Sequence, residues 1–434
     1  MKPRALQMML SVVLAGLLAS ASPALGANAD AGLAIAALHV LEQRYVKAVQ
    51  PVTLLNAAVD SLRKTTHEDL PEIPDGTLGA QAEGVFRQDF ARAAQADTAN
   101  DGTLAYQTTR DMLASLHDTH TFYLDPAQFK EWQDRYAGKP GYAGVGSLLA
   151  SIKDSAGTIL MVYVAAVFPR SPAAVAGLQR FDQIVQVDGT PIAPAVTPLD
   201  VARIVRGPIG STVTLTLRRK GRDVMLTATR QAIEAPVLST EMVRPGIAYL
   251  HLFQFTTGAA DQFRSAVRSL EAQGSLRGVI LDLRENGGGL YSEMQGVAGT
   301  LLPTGTLLAH AVSHEGPSQF VATGTPLLAQ IPLVVLTDGN TASNGEVLSL
   351  ALHDAHRATL IGEKTQGALG ETITLLLPAG GMGVTIAEVN GPQYEQVEGV
   401  GIGPDQVVSL TVQDVSDGAD PQLDAALKAV GAGN

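Results

Sequence analysis

From Gly246 to Thr365 the chain alternates between short apolar runs and longer stretches of helical spacing. GIAYLHLFQF, GVILDLREN, PLVVLTDGN and ATLIGEKT read as strands, while AADQFRSAVRSLEAQG, GLYSEMQGVAGTLL and NGEVLSLALHDAH repeat apolar residues three and four apart. Few architectures satisfy such an alternation. Parallel neighbours need a helical crossover, and the helices must then cover the faces of the sheet. The pattern predicts an α/β core on a mixed, largely parallel sheet over residues 234–434. TITLLLPAGGMGVTIAEV is expected as a hairpin and PQLDAALKAV as a closing helix.

The remaining residues divide by the same criterion. Residues 27–140 form a helical region, carried by LAIAALHVLEQRYVKAV, VTLLNAAVDSLRK and YQTTRDMLASLHD, and GKPGYAGVG marks its end. Residues 141–233 are mostly strand-like, with SPAAVAG and TPLDVARIVRG as short helices. Residues 1–26 have the basic Lys2 and Arg4, an apolar run Leu6–Leu18 and the small-residue site Ala24-Leu25-Gly26. They read as a secretory signal peptide, so the mature protein is expected to be periplasmic or secreted, with no stable membrane span.

Composition removes several functions. The net charge of -12 is unsuited to general nucleic-acid binding, and without cysteine there is no disulfide, thiolate metal site or Cys nucleophile. The pairs His117/His120 and His353/His356 lack a third ligand. Neither metal nor cofactor is expected.

Serine is then the candidate nucleophile. Ser343 stands where PLVVLTD turns into a helix, whose first N–H groups and positive dipole end suit a developing oxyanion. The Asn344 N–H directly after it is one expected donor, and Gly287 or Gly288 of ENGGG the other. The same Ser343-Asn344-Gly345-Glu346 also fits S-x-x-E, a capping box that needs no catalysis.

Two resemblances extend this reading. GYAGVG, a strand, and FPRSPAAVAGLQRFDQIVQVDGTPI resemble a PDZ domain. That likeness implies that the loop Gly144-Val145-Gly146 presents N–H groups to a peptide's terminal carboxylate. The ten basic and five acidic residues of 141–233 suit such a ligand. GVILDLRENGGG, PLVVLTDGNTASNGEVLSLALHDAHRATLIGEKTQG and VEGVGIGPD, in that order, resemble the carboxyl-terminal processing peptidases, or tail-specific proteases. The likeness implies a crotonase-like α/β core and an exported serine endopeptidase. Its substrates would be polypeptides with free C-terminal tails, with a homo-oligomer or adaptor as further partners.

One position departs from that family. The family's usual base is a Lys in a segment like FGKG, and here the position is Ala368 of QGALG. By likeness to tricorn-type peptidases, His251 in GIAYLHL is the expected base, with Glu398 as its orienter. Lys364 of GEKT is an alternative base. A catalytically inactive peptide-binding pseudoprotease is the alternative function. Asp118 and His120 of DTHT match a family signature and are expected to order the junction before the PDZ-like module. Asp282 and Arg284 are expected to brace the ENGGG loop.

Overall fold

The computed structural model describes residues 30–97, 102–137 and 142–432. The expected signal peptide lies outside them. Four helices open the fold: α1 (Ala31–Arg44), α2 (Pro51–Thr66), α3 (Gly79–Ala96) and α4 (Thr103–Ala114). Asp30 starts α1 by accepting the Gly32 N–H at 2.7 Å, an N-cap that the first helical turn requires. Next come β1 (Phe122–Leu124) and α5 (Pro126–Tyr136), the latter begun by a capping box of Asp125 and Gln128.

The central module contains β2 (Tyr142–Gly144), β3 (Ser147–Lys153), β4 (Ile159–Val167), α6 (Pro172–Ala176), β5 (Gln183–Val187), β6 (Thr190–Pro191), α7 (Pro198–Val205), β7 (Thr212–Arg219), β8 (Arg222–Thr229) and β9 (Gln231–Ile233). Its antiparallel sheet runs β3-β4-β5-β7-β8 around Val162, Val164, Ile184, Val213 and Leu217.

The last part holds β10 (Leu238–Arg244), β11 (Ile247–Leu252), α8 (Ala259–Glu271), β12 (Gly278–Asp282), α9 (Tyr291–Leu301), β13 (Leu307–Ser313), β14 (Gly316–Val321), β15 (Leu333–Thr337), α10 (Asn344–Asp354), β16 (Thr359–Gly362), β17 (Gly370–Leu376), β18 (Gly381–Asn390), β19 (Gln406–Val407), α11 (Val412–Asp417) and α12 (Pro421–Ala432). The sheet β10-β11-β12-β15-β16-β19 is parallel except at β10–β11. Every residue of β11, β12 and β15 is buried, as strands covered on both faces must be. One face packs on apolar residues of α8, α9 and α10, the other on Ala426, Leu427 and Val430 of α12. The expected mixed, largely parallel α/β sheet is present.

Two features go beyond the sequence reading. The first is the run β10, β13 and β14, strands that carry mixed polar and apolar residues and so lack the continuous apolar signal of the central strands. The second is β1, which leaves the helical region to pair antiparallel with β18, Phe122 opposite Gly383 and Leu124 opposite Gly381. The two glycines explain the seat. A Cβ on Gly383 would stand 2.6 Å from the Phe122 ring, and one on Gly381 2.5 Å from the Phe129 ring. Leu377, Met382 and Val384 of this hairpin also complete the core of the four helices. The central module rests on the α/β part through Arg180–Asp420 at 3.0 Å, the Phe168–Phe253 ring pair and Val415 of α11 among Met161, Tyr163 and Phe181.

Candidate active site

β15 delivers the chain to the loop 338–342 and then to Ser343, the N-cap of α10. Ser343 has φ 52 and ψ -124. This left-handed backbone costs a residue with a side chain about 1–3 kcal/mol, and it persists only where the surroundings enforce it. Several bonds do so. The Ser343 N–H is shared between Ala368 O (2.9 Å) and Glu346 Oε2 (3.0 Å), the Ala342 N–H goes to Asn286 O (2.9 Å), and Asn344 Nδ2 goes to Gly289 O (2.8 Å). The loop before it is tied by Asp338, whose Oδ1 accepts the Asn340 and Thr341 N–H groups.

Glu346 forms its half of the expected capping box, its carboxylate accepting the Ser343 N–H at 3.0 Å. Glu346 also does more than cap. Fully buried, its carboxylate accepts from Ser343 N, Ala368 N, Gly367 N and the Thr365 hydroxyl. It thereby fastens the segment 365–368 to the turn that bears Ser343. All four partners donate, so in Glu346→Gln the amide NH2 must face a donor. A loss of about 1–3 kcal/mol is expected, read as a lower thermal midpoint, with reduced turnover because the Ser343 turn loosens. An unchanged midpoint would contradict this role.

The ENGGG loop lies against the same turn. Gly288 has φ +91, and a Cβ there would sit 2.6 Å from Ser343 Cβ and 3.0 Å from Asn344 N. Only glycine permits that approach. The Gly288 N–H, however, donates to Asn286 Oδ1 at 2.8 Å. Among the described residues no hydrogen bond occupies the N–H of Gly287 or Asn344. Of the expected donors, these two are therefore free and Gly288 is committed.

His251 lies elsewhere. Its Nε2 bonds the Arg284 carbonyl at 3.2 Å and its ring packs on Phe253. It lines a cavity of about 150 Å³ between the central module and the core, with Tyr163, Arg180, Glu285 and Asp338, and Ser343 is not part of that wall. Burial pushes the His251 pKa below its ordinary value, which favours the neutral ring. Asp282 and Arg284, expected to brace the ENGGG loop, tie β12 to the start of α12 instead: Arg284 Nη2 meets Asp282 Oδ2 at 2.6 Å and the guanidinium also holds Asp420 and Gln422. Burial, the largest influence, works to raise the Asp282 pKa, but the opposing charges, Arg284 first, and the Arg284 hydrogen bond together outweigh it and the net direction is down.

Glu398 does not meet His251 either. It accepts the Leu369 N–H at 2.5 Å and pairs with His120 Nε2 at 3.2 Å. The His120 ring lies over Gly370, where a Cβ would stand 3.0 Å from His120 Cδ2. The imidazole–carboxylate pair thus flanks residues 369–370, next to Ala368, whose carbonyl takes the Ser343 N–H. His120 was expected only to order a junction, and here it meets the carboxylate that was expected to meet His251. Lys364 is exposed on the way into the 365–368 segment. The VEGVGIGPD stretch reaches the site because Gly367 and Gly401, both at positive φ, let it approach: a Cβ on Gly401 would lie 2.3 Å from Thr365 O.

The family model for peptidase family S41 matches residues 246–408, and that for the PDZ domain matches 163–219. A carboxyl-terminal-processing protease from Synechocystis sp. is 34% identical over 332 residues, 74% of this chain and 76% of the relative. The chain belongs to the carboxyl-terminal processing peptidases. A second such protease, from Picosynechococcus sp., is 34% identical over 70% of this chain and 73% of its own length. The solved photosystem II D1 C-terminal processing protease covers 87% of this chain and 92% of its own, at 26% identity and TM-score 0.53.

As a member of this family the chain is a serine-type peptidase with a PDZ domain. In this processing peptidase the central module carries a groove of about 300 Å³ between β3 and α7. Gly144, Val145 and Gly146 line one end, and Leu149, Leu199 and Val205 give apolar wall. Helix α5, outside the PDZ domain, adds Glu131 and Arg135.

Proposed function

We propose that this peptidase is exported, holds the C-terminal tail of a polypeptide in its PDZ groove, and cleaves by acyl transfer at Ser343 with His120 as base and Glu398 as its orienter. The observation that carries the reading is the His120–Glu398 pair at 3.2 Å beside the segment that Ser343 binds. The His120 side chain is 17% exposed and that of Glu398 49%. A pair this accessible contributes about 0–1 kcal/mol to stability even when charged, so folding alone gives it little purpose.

The chemistry follows from the groups. With Nε2 turned to Glu398, Nδ1 of His120 takes the Ser343 proton as Oγ attacks the carbonyl carbon. The oxyanion is met by the Asn344 and Gly287 N–H groups. His120 then gives the proton to the leaving amine, and water attack reverses the sequence to free the acid. Among the described residues no Ser343–His120 hydrogen bond is formed, and catalytic bonds of free enzymes commonly tighten only with substrate. Export rests on the residue pattern of 1–26.

A tail bound through its carboxylate gives a direct test. An unfolded protein with an apolar C-terminus should be cleaved, and amidation of that terminus should slow kcat/KM about tenfold or more, since hydrogen bonds to a charged group contribute roughly 1.5–3 kcal/mol. Equal rates for both forms would remove tail capture. Binding without cleavage would instead support the pseudoprotease.

A further inference from the structure

The base proposed above sits on a short loop, and a loop alone does not fix a ring within the tolerance that proton transfer needs. Asp118, two residues before His120, takes up every nearby donor. Its Oδ1 accepts the His120 N–H at 2.9 Å, and its Oδ2 accepts from Thr121 Oγ1 at 2.8 Å and Thr385 Oγ1 at 2.7 Å. The Tyr45 hydroxyl adds a fourth bond. Thr385 lies on β18, the strand paired with β17, whose first residue is the Gly370 beneath the His120 ring. Thr385 also receives Val46 N–H at its carbonyl (2.8 Å), which joins the end of α1 to the same point.

We infer that Asp118 is the positioning residue of this site: it clamps the backbone of His120 to β18 and so holds the imidazole over Gly370 and against Glu398. The inference rests on His120 being the base. The charge of the clamp is secure. Burial works to raise the Asp118 pKa, but the bonds from Thr385, His120 and Thr121 outweigh it and the net direction is down. Tyr45 is pushed up to about 12, by burial first and then by the Asp118 charge, so its hydroxyl remains a donor.

The test uses the full chain with Asp118→Ala, Asp118→Asn and His120→Ala, each assayed for kcat and KM. Asp118→Ala should lower kcat about 100-fold, the scale of a 1 Å misplacement, with KM little changed. Asp118→Asn should recover most of that loss, because its amide oxygen still accepts the His120 N–H. A merely structural role would not give this fall in kcat at nearly unchanged KM with rescue by asparagine. If His120→Ala is inactive while Asp118→Ala keeps kcat, or while Asp118→Asn recovers none of the loss, the positioning role is overturned and the base stands. If His120→Ala keeps kcat, the base reading falls, and the positioning role with it.

Discussion

Ser343→Ala should leave a folded protein that still binds tails and cuts none of them, with kcat lowered on the order of 10⁴–10⁶-fold. The size of the loss follows from what remains. The Asn344 and Gly287 amides and the PDZ groove persist in the variant, so polarisation and binding survive while the acyl-enzyme cannot form. Stability should change little, because the bonds that hold the turn come from the backbone of residue 343 and from Glu346. The backbone strain at φ 52 is kept by alanine. Cleavage of an unfolded substrate followed by gel or mass spectrometry, with tail affinity measured in parallel, reads both halves. Residual turnover within about tenfold of wild type would exclude Ser343 as nucleophile.

The second large effect separates two histidines. His120→Ala should reduce kcat by roughly 10⁴-fold, since a serine without its base is a poor nucleophile at neutral pH. His251→Ala should keep kcat and instead destabilise by about 1–3 kcal/mol, because the Arg284 carbonyl loses a buried donor. The pH dependence gives a further check. Burial lowers the folded-state pKa of His251 below its ordinary 6.5, so below that pH the unfolded chain takes up the proton first and stability falls with acidity. His251→Ala should remove this part of the acid loss. The opposite pattern, a dead His251 variant beside an active His120 variant, would restore the first assignment.

Much of the fold was legible because its central strands are buried on both faces and the sequence there is continuously apolar. Ser343 was legible for a related reason: a buried strand that breaks into a helix exposes one side chain at the helix N-terminus. His251 drew notice by the same logic, as a polar residue in an apolar strand. Its ring is satisfied locally by Arg284 O and Phe253, which one-dimensional spacing does not reveal. The contact of His120 with Glu398 was hidden because the two are remote in sequence, and the DTHT segment read only as a signature that orders the junction before the PDZ-like module. The available signal was Glu398, a carboxylate in a glycine-rich turn whose partner had to come from outside the core. Glu346 was half legible, since the capping box predicts its bond to Ser343 N but not its hold on residues 365–368.

The pairing of β1 with β18 has a consequence for what counts as the enzyme. Residues 122–124 complete a sheet whose other strands begin only after residue 300, so the PDZ domain is an insertion within one catalytic body rather than a bead preceding it. A fragment starting at residue 234 would retain Ser343 yet lack His120 and the edge strand beside it. Supplied separately, residues 27–140 would be the missing half of a split enzyme.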